Sequence, residues 1–158
     1  LFRSAAPRLA PGIGALVMRS DLARKRLFGV APEDRLPDVA YGPEAGARVY
    51  ARLRRDAGRA LRRGAAVILD ATFLSADERA AARDAAARAG VPFAGVWLDC
   101  PAETLRARVA ARRGDASDAD RAVLERQLAR AEPPEDWRRL PAEGAPEAVA
   151  DALVAALA

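Results

Sequence analysis

Short apolar runs alternate with amphipathic stretches along the chain. Residues 15–19 (Ala-Leu-Val-Met-Arg), 65–69 (Ala-Ala-Val-Ile-Leu, followed by Asp70) and 93–98 (Phe-Ala-Gly-Val-Trp-Leu) are near-continuous apolar runs of strand length. Runs of this kind predict strands covered on both faces by helices. Between them, apolar positions recur at helical spacing. Val49, Leu53, Ala57 and the Ala60/Leu61 pair share one stripe of a helix predicted over 46–63, and Gly64 stands where a helix-terminating glycine belongs. Ser75, with Glu78 three residues on, is a capping box that opens a helix running to Gly90. Pro101 suits the first turn of a helix with Leu105 and Val109 on one face. One further helix carries Val123, Leu124, Gln127 and Leu128, and a last one, from about Pro146, carries Val149, Leu153 and Leu157.

Strands alternating with helical crossovers predict an α/β domain built on a parallel sheet. In such sheets ligands bind beyond the carboxyl ends of the strands. The residues to watch are therefore Ser20-Asp21, Asp70-Ala71-Thr72 and Asp99-Cys100, so that three acidic residues follow three strands. Residues 29–45 are the longest loop-like stretch, and a loop of that length inside a domain is often functional. Residues 132–146 form a second loop-rich stretch, with Trp137 as its expected anchor.

Composition narrows the chemistry. A chain of 158 residues suits a single domain, 1–158. Histidine is absent, which removes histidine acid–base catalysis, Ser-His-Asp triads and histidine metal sites together. Cys100 is the only cysteine, so there is no internal disulfide and no thiolate zinc site. Carboxylates, arginines and hydroxyls must carry any chemistry. The net charge is +4 and the isoelectric point about 10.1, a balance that attracts phosphates. The basic residues are spread over most helices, not gathered in one patch, which argues against a nucleic-acid partner. No apolar run reaches membrane-spanning length and no secretory signal is visible, so a reducing cytoplasm is the expected location.

The segments at the strand ends carry a resemblance. Residues 19–27 (Arg-Ser-Asp-Leu-Ala-Arg-Lys-Arg-Leu) resemble the strand-then-Asp-x-x-Arg segment of the small P-loop kinases: gluconate kinase, adenylylsulfate kinase and the zeta-toxin-like kinases. Residues 67–73 (Val-Ile-Leu-Asp-Ala-Thr-Phe) resemble their third strand and its ending. Residues 105–113, then Gly114, Leu124, Gln127, Leu128 and Pro133-Pro134, resemble the arginine-bearing lid and return helix of gluconate kinase. The likeness spans nearly the whole chain. It is greatest to the ATP-binding kinase-like domain fused behind an aminoglycoside-phosphotransferase-like domain.

The resemblance implies a three-layer P-loop NTPase fold of the nucleoside-kinase type, with a lid at about 106–120. It implies ATP and Mg2+ as cofactors, a small-molecule hydroxyl acceptor, and a fused N-terminal phosphotransferase-like domain as a further partner. One motif of these kinases has no match here. The G-x-x-x-x-G-K-[ST] loop, which holds phosphates through its amides and lysine and magnesium through its hydroxyl, does not occur in these residues. Leu1 to Ala10 resembles the helix that follows that loop. The expectation is a domain whose first strand and P-loop are missing from this chain, and which is inactive without them. A non-catalytic nucleotide-sensing or partner-binding pseudo-kinase module is the alternative.

Each candidate residue has a functional and a plain structural reading. Asp21 can position an acceptor hydroxyl and take its proton late in transfer, and Arg24, one turn on, can clamp an anion bidentately. The plain reading is that Ser20 or Asp21 caps the next helix and Arg24 is solvated. Asp70 can orient magnesium through water, with Thr72 adding a hydroxyl for substrate; alternatively it bonds local backbone amides. Arg112 and Arg113 are the expected lid residues over the nucleotide, whereas Arg106 and Arg108 suit a solvated helix face. Asp118 and Asp120 read as the start of a helix, where carboxylates suit the dipole. Trp97, Cys100 and Trp137 read as structural.

Overall fold

The computed structural model describes residues 2–10, 12, 14–111 and 120–157. A short helix, α1 (Phe2–Ala5), and a 3-10 turn (Ala6–Arg8) lead to strand β1 (Leu16–Arg19). Gly14 takes φ +80 where the chain turns back against that 3-10 turn, and a Cβ there would stand 2.6 Å from the Pro7 Cα. Only glycine fits so close a backbone approach.

Helix α2 (Ser20–Phe28) follows β1 without a break and ends at Gly29, which is left-handed at φ 66. Helix α3 (Pro43–Leu61) buries Val49, Leu53 and Ala57 as their spacing predicts, and Gly64 closes it at φ 80. Strand β2 (Val67–Asp70) leads to α4 (Ala76–Ala89), whose Ser75–Glu78 capping box is formed in both directions. Strand β3 (Val96–Asp99), α5 (Ala102–Ala111), α6 (Arg121–Leu128), strand β4 (Arg138–Pro141) and α7 (Pro146–Leu157) complete the order. Pro101 precedes α5, its carbonyl accepting the first helical bond from Leu105 N at 3.0 Å.

The strands form two parallel pairs, β1 with β2 and β3 with β4. This corrects the expectation of strands covered on both faces. No residue of β1, β2 or β3 is fully buried, and Leu16 is 46% exposed. In a two-stranded sheet each strand has one open edge, so its apolar side chains are only partly enclosed. The buried core lies beside the sheets. One cluster joins Ala5, Leu140, Val149, Ala150 and Leu153, packing α1 and α7 around β4. A second joins Tyr50, Phe73, Ala82 and Trp137. Trp137 is therefore the anchor its surroundings predicted, set edge-on to Phe73 at 5.6 Å and tilted to Phe93 at 6.0 Å.

Two strand assignments differ from the pattern. β3 begins at Val96, because Phe93 turns aside to pack on Trp137 and pairing with β4 starts at the Gly95 carbonyl, 3.0 Å from Arg138 N. β4 falls in the stretch read as loop. Its Arg-Arg-Leu-Pro sequence has one buried side chain, Leu140, and no alternation to announce it.

Candidate functional site

The parallel register sets Arg19 opposite Asp70 at the carboxyl ends of β1 and β2. Because α2 starts at the very next residue, Asp21 stands in its first turn, two positions beyond Arg19. Arg19 reaches both acids: its Nε lies 3.5 Å from the Asp70 carboxylate and its Nη2 3.9 Å from that of Asp21. All three side chains are between a fifth and about a third exposed. Pairs of this length and exposure are worth ~0–1 kcal/mol each. Their effect is positional, since the guanidinium offsets the repulsion of two carboxylates at neighbouring strand ends. Asp21 and Asp70 thus share one guanidinium. The plain capping reading does not hold: the N-cap of α2 is Arg19, and no side chain caps it.

The turn after Asp70 is held from several sides. The Thr72 hydroxyl lies 3.2 Å from that of Tyr50, which also accepts a hydrogen bond from Phe73 N at 3.0 Å. Burial pushes the Tyr50 phenol up from its ordinary range, against the opposing bond from Thr72. Arg79 donates to the carbonyls of Phe73 at 2.8 Å and Leu74 at 3.0 Å. Phe73 has φ 47, the one non-glycine at positive φ among the described residues. Thr72 itself is exposed, two positions beyond Asp70.

Arg24 is not a solvated side chain. Its Nη1 donates to the Ala40 carbonyl at 2.6 Å, and the guanidinium sits 5.3 Å from the centre of the Tyr41 ring. Next to it Lys25 is 1% exposed and donates to the carbonyls of Pro32 at 2.8 Å and Asp34 at 2.7 Å. Helix α2 therefore holds the 29–45 stretch by two cations, alongside the carboxylate it carries in its first turn. Sequence reasoning missed Arg19 and Lys25. The signal for Arg19 is its register with Asp70, which exists only once the strands pair. Lys25 gave none, since a lysine in an Arg- and Lys-rich helix reads as solvated.

Asp99, the third strand-end acid, belongs to the other sheet, where Arg139 Nη2 holds it at 2.6 Å. Arg112, Arg113, Asp115, Ser117 and Asp118 lie outside the described residues. Asp120 caps α6 by accepting from Val123 N at 2.9 Å, the helix start its position predicted. Arg106 and Arg108 are not a bare solvated face. Arg106 forms a two-pronged bond with Glu125 at 2.7 and 3.0 Å. Arg108 donates to the carbonyls of Ala142, Glu143 and Gly144 at 2.6–3.0 Å. Cys100 is half-buried against the α7 cluster.

Among the described residues no three acidic or thiol side chains cluster as a metal cage. Carboxylates are hard oxygen donors of the kind that hold magnesium together with phosphate and water. No helix of the described residues is long and apolar enough to cross a membrane.

No curated protein and no solved structure matches the chain. Residues 4–134 match a family model described as an AAA domain, AAA_33. That match covers both parallel strands of the first sheet, the carboxylate pair and the helices through α6. With an α/β fold of parallel strands and acids at the strand ends, the chain belongs to this AAA domain family, a nucleotide-binding, P-loop NTPase-like domain of kinase type.

Proposed function

We propose that this protein transfers a phosphoryl group from ATP to a hydroxyl of a small molecule. One observation carries the reading: within a kinase-type P-loop family, two carboxylates meet at one arginine where two parallel strands end. Asp21 orients the acceptor hydroxyl and takes its proton as the new O–P bond forms, a late transfer because the phosphoryl group carries little covalent demand. Asp70 shares with Asp21 the guanidinium of Arg19. Thr72 offers a hydroxyl for substrate at the same strand end.

Arg24 spends one of its five donors on Ala40. The others remain for an anionic group on the acceptor, and through Ala40 the same side chain draws the 29–45 stretch toward the site. Arg112 and Arg113 are proposed to cover the nucleotide. Asp70 would help to hold magnesium, which would supply charge neutralisation for the phosphates.

The test is transfer from γ-labelled ATP to a panel of hydroxyl acceptors, with Asp21→Asn beside the wild type. The expected result is a fall in kcat of about 10²–10⁴-fold with nucleotide affinity kept. Absence of transfer to every acceptor would sink the reading. The second reading is a non-catalytic nucleotide-sensing or partner-binding module. Nucleotide binding without any transfer would select it.

A further inference from the structure

Away from the strand ends, helices α3 and α4 pack side by side, with an open surface hollow of about 400 Å³ between them. Its lining is Arg54, Arg55, Gly58, Arg62, Ala85 and Arg88. The spacing explains the convergence. Positions 54 and 58 lie one above another on α3, with Arg62 its C-cap one turn further on, and 85 and 88 do the same on α4. Gly58 and Ala85 are both buried, and their small size lets the helices close to form a floor from which the arginines rise as walls. A Cβ on Gly58 would already stand 3.3 Å from Arg62 Nη1. The basic residues are thus not merely spread over the helices, as the chain suggested. Folding gathers four of them here.

These four guanidiniums converge without a carboxylate among them. Arg52 and Arg59, which flank Arg55 at helical spacing on α3, share Asp56 at 2.6 and 3.6 Å. Among the described residues Arg54, Arg55, Arg62 and Arg88 make no ion pair and no side-chain hydrogen bond, and no acidic residue lines the cleft. Four like charges around one hollow are unfavourable unless an anion enters. Planar guanidinium forks suit phosphate oxygens, which they bind two at a time.

The cleft also sits apart from the proposed transfer site. Its α3 residues precede the start of β2, and its α4 residues lie in the second half of the helix that leaves the end of β2. Both therefore face the amino end of that strand, whereas Arg19 and Asp70 mark the carboxyl end.

We propose that the α3–α4 cleft binds a small anion carrying two or more phosphoryl groups, as a site separate from the one that handles transfer. The volume is that of a small-molecule pocket. The charge of four guanidiniums calls for more than a single phosphate. No aromatic side chain lines it, so there is no platform on which a nucleic-acid base would stack.

Isothermal titration of the protein with tripolyphosphate tests this, with folding of each variant checked by circular dichroism. Arg54→Gln combined with Arg62→Gln should weaken binding at least tenfold, and Arg88→Gln several-fold. Arg130→Gln, which removes one exposed charge beyond α6, should leave it unchanged. Four results would overturn the proposal: no binding by the wild type; equal loss in Arg130→Gln, which marks general charge attraction; loss in Arg19→Gln but not in the cleft variants, which places the anion at the strand ends; and tighter, cleft-dependent binding of oligothymidylate, which assigns the cleft to nucleic acid.

Discussion

Phe73 holds φ 47, in the left-handed region that a bulky side chain adopts only when its surroundings impose it. Tyr50 is the main restraint. Its hydroxyl takes the buried Phe73 N–H at 3.0 Å, meets Thr72 at 3.2 Å, and its ring lies edge-on to Phe73 at 5.4 Å. Tyr50→Phe keeps the ring and removes only the oxygen, which leaves that N–H without a partner. The expected cost is about 1–3 kcal/mol, read from urea denaturation, and a loss of stability too small to resolve would show that the turn is held by Arg79 alone. The Asp-Ala-Thr-Phe sequence drew attention to the turn, but its strain and its tyrosine support were not legible. Tyr50 is 23 positions from Phe73, and nothing local signals that pairing.

At the level of elements, α6 shows how a short helix is secured through its ends and flank. Asp120 caps its first turn, and Arg106 of α5 grips Glu125 in its middle. The bond from Val123 N holds the Asp120 carboxyl below the usual carboxylate range, and the Arg106 guanidinium does the same for Glu125. A carboxyl lowered by folding adds stability above its unfolded-state range, and that stability is lost as pH falls through the lowered folded value. The helix should therefore loosen at the acid end of the carboxylate range and not near neutrality. Far-ultraviolet circular dichroism against pH should show an acid limb that flattens in Asp120→Asn combined with Glu125→Gln; an unchanged limb would assign acid sensitivity elsewhere. Caps of this kind were readable beforehand, because the capping box at Ser75 and the closing glycines 64 and 90 act on their own helix. The Arg106–Glu125 pair was not, since it joins two helices.

Across the whole molecule the two sheets meet at Trp137. Its ring touches Phe73, beyond the end of β2, and Phe93, before the start of β3. Gly95 makes room for it: an added Cβ would fall 2.3–2.5 Å from three indole carbons. Gly95→Ala should force the indole out of place at a cost of about 1–3 kcal/mol, measured as a lower melting temperature with a shift in tryptophan emission. Unchanged stability would mean that the sheets are held together by other contacts. Strand–helix alternation, the helix-closing glycines, the candidate acids and the helix start at Asp120 were all set by the chain itself, because periodicity and capping are properties of neighbouring residues. The pairing of strands two by two, the half-exposed apolar strands, the Arg19 bridge between Asp21 and Asp70, the burial of Lys25 and the arginine cleft arose only on folding. Each depends on residues brought together from separate segments, and local patterning carries no record of which distant segment will arrive beside it.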